Sequence, residues 1–593
     1  MDRDTFEQRL AGIFGVVLLL FGVLGVRLWQ VQIVQGDYFA RLAQENRIRV
    51  TPLSAARGVI VDRAGRPLVV NRPAFTVAAL PLEFSRPAQE IPVLARLLGT
   101  SRDDVASRIA AGRDTPFAPV RLRRDASETM VASVEESQLD LPGVFVEVEP
   151  VRYYPYHDLA AHLVGYLGEV SDADVRANKA AAGYGPGALI GKDGLEREYD
   201  RDLRGRDGEI RAEVDALGRP SRILRTIPAV PGDTLVLGLD LPAQQAAEEA
   251  LGDRAGVVVA LDPATGAIRA LASHPTFDPN AFATAIPLAA WKALLRDTRQ
   301  PLLDRVVGAG YPTGSVFKIV TASAALDLGI VNRDSGFHDP GYLDYGGRRY
   351  HDNNHESFGA INFLTAIAVS SNVVFWTISQ PVGAVRLAEY AHRYGLGART
   401  GVDLPNETAG VIPSPAWKRG ALGQPWYGGD TLNMAVGQGY VLVSPIQAAR
   451  MVAAVANGGT VVTPHAVTEI RSADGRFVRT VAPPAAGGVR LRPETLATIR
   501  EGLAAVVSFG TAASIQIPGL AVSGKTGTAE SPRGKPYAWF GGYAPAKAPT
   551  LVVVAMVENA GYGAQYAGPI VRRVFEAAFG LPLTPMPADP PKP

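Results

Sequence analysis

Tyr311-Pro312-Thr313-Gly314-Ser315-Val316-Phe317-Lys318 runs without a break into the apolar-periodic stretch Ile319 to Leu328, which stops at Gly329. Pro312 and Gly314 predict a turn, and Ser315 opens a helix behind it. On that helix Ser315 and Lys318 are i,i+3 neighbours with Cβ atoms about 5–6 Å apart, so the lysine amine can reach the serine hydroxyl. A lone serine is a poor nucleophile at neutral pH and needs a base to take its proton. Lysine serves as that base only when burial or a second cation brings its pKa toward neutrality. No other Ser-x-x-Lys occurs in the chain. The same letters also spell a serine N-cap followed by a surface lysine, so further signals must decide.

Two such signals follow in order. Ser370-Ser371-Asn372 stands between the helical runs Ile361 to Val369 and Val373 to Ile378. Its hydroxyl can relay a proton to a leaving amine, and its amide can hold a substrate backbone or the lysine. A plain helix cap has the same appearance. Ser523-Gly524-Lys525-Thr526-Gly527-Thr528-Ala529 reads as a strand whose glycines admit a substrate backbone. Lys525 supplies fixed charge and Thr526 and Thr528 supply donors, which suits a carboxylate. The Lys525 charge would also depress the Lys318 pKa. A rival pattern overlaps this one: Gly519 to Thr526 satisfies G-x-x-x-x-G-K-[ST], with Leu551 to Val557 and Glu558 as a Walker B-like strand. A phosphate-binding loop must open into a helix, and Pro532, Gly534 and Pro536 forbid one here.

Around these motifs the chain from Asp233 reads as α/β. Gly256 to Leu261 and Ala267 to Ser273 flank an Asp-Pro-Ala-Thr-Gly turn, and Ala538-Trp539-Phe540 with Leu551 to Val557 suggest a second hairpin. Helical patterns fill the middle, which predicts an antiparallel sheet packed with helices. The earlier block, to about Pro231, is glycine-punctuated, arginine-rich and poor in nucleophile-base pairings, so it reads as structural or as a docking surface. Val59-Ile60-Val61 before Asp62-Arg63-Ala64-Gly65 predicts a hairpin there. The expected organisation is a tail (1–9), a transmembrane helix (10–34), an α+β pedestal domain (35–232), an α/β domain (233–580) and a flexible proline-rich tail (581–593).

The span rests on seventeen uncharged residues, Leu10 to Val26, with apolar character resuming at Leu28 and Trp29 at an interfacial position. A signal peptide would be shorter and end at a small-residue cleavage site, where this chain has Arg27-Leu28-Trp29. Arg3 and Arg9 precede the span while Arg27, Arg41, Arg47 and Arg49 follow it, a count that points the body inward. Large domains translocate regardless of such charge, so orientation stays open on the residues alone. Across 593 residues, 59 Lys and Arg balance 58 Asp and Glu, which excludes a nucleic-acid binder with a whole-chain basic field. Hydrophobic residues at 47% and charged ones at 20% mark a folded protein. The absence of cysteine excludes disulfides, thiolate metal sites and a Cys nucleophile.

Ser-x-x-Lys, Ser-x-Asn and Lys-Thr-Gly in that order form the set found in penicillin-binding proteins and β-lactamases. The chain resembles the class B penicillin-binding proteins from its anchor to about Gly580. Arg57-Gly58 to Gly65, Tyr154-Pro155, Ala160 to Tyr166, Gly194-Leu195-Glu196 and Arg204-Gly205 match their pedestal motifs. Gln424 to Thr431 and Gly437-Gln438-Gly439-Tyr440 resemble the elongation branch, with the division-type homologue as the nearer rival. Two departures stand out: that branch more often has Asp where this chain has Asn372, and some relatives have Lys-Ser-Gly.

The resemblance implies a peptidoglycan D,D-transpeptidase, acylated by β-lactams, with a single span in the cytoplasmic membrane and its body on the extracytoplasmic, periplasmic side. Ser315 would attack the carbonyl between the terminal D-alanines of a stem peptide. Lys318 would take its proton, and Ser370 with Lys525 would return one to the leaving D-alanine. Asn372 completes the catalytic set. Ser315 and Thr528 backbone N–H groups would form the oxyanion hole, and Thr526, Gly527 and Thr528 would line the carboxylate site. Implied partners are a RodA-type SEDS glycan polymerase and an MreC-like scaffold, with no nucleic acid.

No cofactor is expected. Asp339, His351, Asp352 and His355 raise the alternative of a metal between the first two motifs, where some elongation-type relatives hold zinc with a cysteine that this chain lacks. A solvated polar loop is the other reading of that stretch. A serine β-lactamase would need a dedicated deacylating water and neither anchor nor pedestal. A β-lactam sensor would need a signalling region before the span. His157 and His162 are expected in pedestal packing and Glu196 in an ion pair.

Overall fold

The computed structural model describes residues 3–35, 48–84, 86–112, 119–177, 188–214, 220–284, 286–352, 356–532 and 534–587. Arg3–Trp29 is one α-helix, continued by a π-helical turn, Gln30–Val34. Within it Gly12–Val34, of mean hydropathy 2.2 and unburied, is long and apolar enough to cross a membrane. The chain divides into two compact units, Met1–Ala56, Phe75–Glu149 and Arg206–Val230 forming one, and Arg57–Ala74, Pro150–Gly205 and Pro231–Pro593 the other.

In the first unit, Val77, Leu94, Leu98, Val105, Leu122, Val134 and Leu141 build a small core. The end of the strand Pro67–Ala79 pairs antiparallel with Val120–Ala126, beside helices Pro87–Leu97, Arg102–Ala111 and Glu128–Glu136. Ser101 and Ser127 cap the last two helices, accepting from the N–H groups of Asp104 and Met130. A three-stranded antiparallel sheet, Ile48–Leu53, Gly208–Val214 and Pro220–Ile227, completes the unit.

The second unit carries the expected Asp62 to Gly65 turn: Asp62 Oδ1 accepts from the N–H groups of Ala64 at 2.9 Å and Arg66 at 2.8 Å, and Gly65 takes φ +83°. The strands it joins, Ile60–Val61 and the start of Pro67–Ala79, pair antiparallel. Beneath them Glu196, with no solvent exposure, lies between two guanidiniums, accepting from Arg57 Nε and Arg152 Nε, each at 2.6 Å. Burial pushes its carboxyl up, but the two arginines together hold it below its ordinary value. The expected ion pair is therefore a buried triad. His162 is buried as expected, its Nε2 2.9 Å from Pro301 O and its ring edge-on to Phe277. His157 instead is largely exposed and pairs with Asp278 at 2.9 Å, because its imidazole finds a carboxylate at the surface.

Five antiparallel strands form the main sheet, in the order Ile268–His274, Gly256–Leu261, Leu551–Val557, Gly534–Ala544, Ser523–Ser531. Both predicted hairpins are in it. Gly256–Leu261 and Leu551–Val557 are buried at every position, which requires cover on both faces. Leu241–Leu251 and Gly563–Ala578 pack on each other and on the sheet, and the wholly buried Pro445–Ala456 packs on its central strands. A helical layer of Lys318–Asp327, Phe363–Val369, Asn372–Arg393 and Pro493–Ser508 stands beside the edge strand Ser523–Ser531. The motif strand is thus an edge whose free side borders helices. Thr584, at the start of the proline-rich end, donates to Glu576 through its N–H and hydroxyl, each at 2.7 Å.

Removing the Glu196 carboxylate takes from the buried Arg152 the carboxylate it pairs with and leaves Arg57 only Asp200, 2.7 Å away. Glu196→Ala is expected to cost about 3–5 kcal/mol, the scale of breaking a buried pair. Thermal unfolding of the purified chain should show a clearly lowered midpoint, and an unchanged midpoint would contradict the triad's structural role.

Candidate active site

Ser315 sits in a short 3₁₀ turn, Gly314–Phe317, that passes directly into the helix Lys318–Asp327. In a 3₁₀ turn residues i and i+3 eclipse, so the turn aligns Ser315 with Lys318 more tightly than the expected α-helix would. Close backbone approach fixes the turn. Gly314 has φ +54°, and a Cβ there would collide with the carbonyl oxygen of Thr528. A Cβ on Gly527 would stand 2.5 Å from Thr313 O. The nucleophile turn and the Lys-Thr-Gly strand therefore meet closely at two glycines, Gly314 against the Thr528 backbone and Gly527 against the Thr313 carbonyl.

Ser370 ends the helix Phe363–Val369 in the left-handed conformation, φ +62° and ψ +36°, and Ser371 caps the helix that begins at Asn372, accepting from Val374 N–H at 3.1 Å. This break turns the Ser370 carbonyl, the Ser370 hydroxyl and the Asn372 amide toward one point. Lys318 Nζ occupies it, donating to Ser370 O at 2.6 Å and Asn372 Oδ1 at 2.7 Å, with Ser370 Oγ at 3.2 Å. Lys318 is 1% exposed. Burial lowers its pKa to about 7, against the attraction of the Asp352 and Asp339 carboxylates.

Lys525 is equally buried. Burial first, and then repulsion from Lys318, hold its pKa well below the ordinary lysine value. The expected cation thus lies in surroundings that disfavour its charge. Burial rather than Lys525 is the leading cause of the Lys318 shift. Thr526 Oγ1 lies 2.7 Å from Thr511 Oγ1, and Thr528 Oγ1 accepts from the Gly563 N–H at 3.3 Å. A cleft of about 280 Å³ opens onto Ser315, Ser370, Thr526, Gly527 and Thr528. All eight expected site residues are thus in one region, which brings together a serine, two buried amines, the Ser370 hydroxyl and a threonine-rich strand.

The aspartates read as solvated loop or metal ligands have another role. Asp339 Oδ2 accepts from Ser371 Oγ at 2.5 Å, and Asp352 Oδ2 accepts from the Asn372 N–H at 2.8 Å. Both are buried and brace the Ser-x-Asn motif. The His351 ring packs near Tyr342, 6.4 Å between centroids, and His355 lies outside the described residues. Among the described residues no three metal-ligating side chains gather. The phosphate-loop alternative fails on geometry, since Ser523–Ser531 is a strand and not the start of a helix.

Comparison with known proteins now adds to this geometry. The family model "Penicillin binding protein transpeptidase domain" matches residues 256–576, and "Penicillin-binding Protein dimerisation domain" matches 52–237. The peptidoglycan D,D-transpeptidase MrdA of Acinetobacter baumannii is 33% identical over 96% of this chain and 88% of its own length. The chain belongs to the class B penicillin-binding proteins of the MrdA, or penicillin-binding protein 2, type. A chain from a solved peptidoglycan synthase complex, described as coordinating polymerization and crosslinking, has a TM-score of 0.70 and 32% identity, covering 97% of this chain and 99% of that one. Penicillin-binding protein 2 of Helicobacter pylori, solved with MreC, has the same fold with a TM-score of 0.78 at 24% identity, covering 90% and 99%.

Sequence reading missed Thr511, the start of helix Gly563–Ala578 and the bracing by Asp339 and Asp352. Thr511 and Gly563 carry no local motif, and only the long-range pairing of the Lys-Thr-Gly strand brings them in. The aspartates did give a signal, two carboxylates just ahead of Ser-x-Asn, but their direction could not be read from spacing.

Gly314→Ala tests the glycine contact. The added methyl must displace the Thr528 carbonyl, and strain at a left-handed position adds to the cost. Acylation of Ser315 by a penicillin is expected to fall at least about tenfold, as misplaced reacting groups do; an unchanged rate would show that the turn and strand need not touch.

Proposed function

We propose that this chain is a membrane-anchored D,D-transpeptidase that crosslinks peptidoglycan stem peptides during cell elongation. The observation that carries the reading is the buried Lys318 amine, held by Ser370 and Asn372 one turn from Ser315 with its pKa near 7. Such an amine is neutral often enough at physiological pH to take the Ser315 proton.

Ser315 Oγ attacks the carbonyl between the two terminal D-alanines while Lys318 takes its proton. Charge develops on the carbonyl oxygen, where the backbone N–H groups of Ser315 and Thr528 serve as donors. The C–N bond then breaks, and Ser370, with Lys525, delivers a proton to the departing D-alanine amine. Thr526 and Thr528 hold the terminal carboxylate, and Gly527 lets the peptide backbone close onto the strand. The amine of a second stem peptide attacks the acyl ester, forming the crosslink and freeing Ser315. A β-lactam acylates the same serine in the donor's place. Ser315, Lys318, Ser370 and Lys525 carry the proton movements the two transfers need, while Asn372 Oδ1 holds the Lys318 amine in place.

The synthase-complex relative supports assembly with a glycan polymerase, here of the RodA-type SEDS class, and the H. pylori neighbour of like fold was solved with MreC, in keeping with an MreC-like scaffold. The apolar helix Gly12–Val34 supports a single-pass anchor, with the body on the periplasmic side, where stem peptides lie.

Incubation of the purified full chain with a penicillin should yield one covalent adduct on the peptide that holds Ser315, read by intact-mass and peptide mass spectrometry. Ser315→Ala should abolish it, and a retained adduct would place the nucleophile elsewhere. Lys318→Ala should slow acylation by about 10²–10⁴-fold, the usual cost of a missing base; near-normal acylation would remove Lys318 from that role.

A further inference from the structure

The cleft at Ser315 is lined by one exposed carboxylate, Glu356, for which the mechanism above has no use. Thr511, the Lys-Thr-Gly strand and the residues Tyr562 to Gln565 line it with hydroxyls and N–H groups, whereas Asp352, Glu356 and Phe358 line it from the segment that precedes Ser-x-Asn. Asp352 is buried and engaged with the Asn372 N–H. Glu356 is exposed, and no hydrogen bond or ion pair engages its carboxylate among the described residues. Its position is nonetheless fixed near the motif, because the next residue, Ser357, donates to Asp339 O at 2.8 Å, and Asp339 in turn holds Ser371.

We infer that Glu356 recognises the acceptor, its carboxylate receiving the ammonium of the amine-bearing stem peptide that resolves the acyl-enzyme. This rests on the transpeptidase reading. By microscopic reversibility the group that hands a proton to the leaving amine takes one from the incoming amine, so the acceptor arrives beside Ser370. Ser370 and Glu356 line the same cleft. A side-chain amine of a diamino acid, with pKa near about 10, is an ammonium at neutral pH and must lose a proton before it attacks. At Glu356 the ammonium is gathered next to the ester, and the fraction of the amine that has lost one proton to solvent is the form that reacts. The neutral amine attacks the ester carbonyl, its N–C bond forming as the C–O bond to Ser315 breaks. Its second proton passes through Ser370 and Lys318 to Ser315 Oγ, which restores the free serine. Acylation needs no acceptor, so Glu356 acts on the second half of the cycle.

The test uses the full chain in detergent with an acyl-D-alanyl thioester donor and a stem tripeptide carrying a free diamino-acid amine. It measures how the acyl-enzyme divides between water and the amine, with penicillin acylation measured alongside. In Glu356→Gln, at subsaturating acceptor, aminolysis relative to hydrolysis is expected to fall about three- to tenfold, as loss of a rim charge reduces capture of a charged partner. Glu356→Lys should fall further, Glu356→Asp should recover part of the loss, and added salt should shrink the wild-type advantage. An unchanged division in Glu356→Gln would overturn the inference, as would equal losses in aminolysis and penicillin acylation, which mark a merely structural role. Failure of the wild-type chain to be acylated at all would instead count against the transpeptidase reading itself.

Discussion

The burial of one lysine amine organises this molecule. An ammonium in water has no reason to give up its proton at neutral pH, and the fold removes the water. Lys318 is enclosed by its own helix, by Phe375, whose ring centroid lies 5.0 Å from Nζ, and by the left-handed break at Ser370 that turns a carbonyl and a hydroxyl inward. Those acceptors and the Asn372 amide satisfy the amine without neutralising it, while Asp339 and Asp352 act through the motif and from further away. The result is a base whose pKa lies close to its working pH, and a second buried amine, Lys525, near enough to feel its charge.

The frame that holds this amine in place is mostly backbone. A five-stranded sheet with two wholly buried strands leaves Ser523–Ser531 at its edge, where it meets the nucleophile turn through Gly314 and Gly527. Any side chain at either position would push Ser315 away from Thr528. The Ser-x-Asn motif is set differently, by carboxylates: Asp339 holds Ser371, next to the relay serine Ser370, and Asp352 holds the backbone of Asn372, the lysine's acceptor. Far from the cleft, Glu196 between Arg57 and Arg152 does the same kind of work for the segments Arg57–Ala74 and Pro150–Gly205.

Much of this was legible in the chain. Three short motifs in a fixed order identified the site, the two hairpins of the main sheet could be read from turns between apolar runs, and the apolar run from Leu10 was visible as a span. What could not be read is conformational and long-range. Nothing in Ser370 announces a left-handed residue, since serine rarely adopts one, and the strain is imposed by the two helices it joins. Asp339 and Asp352 lie in a polar stretch with histidines, and spacing cannot show that their carboxylates turn inward. Spacing presents Lys525 as a fixed cation, and the burial that disfavours its charge depends on strands far apart in sequence.

The pH dependence of penicillin acylation tests the central claim most directly, measured as the second-order rate constant from about pH 5 to 10. Lys318 must be neutral to act as a base, and its folded pKa lies near 7. Below that value the amine is protonated and idle; above it the free amine accumulates. The rate is therefore expected to rise tenfold per pH unit below about 7 and then level off. A profile that keeps rising toward pH 10, as for an ordinary solvated lysine, or one flat across the range would contradict the account.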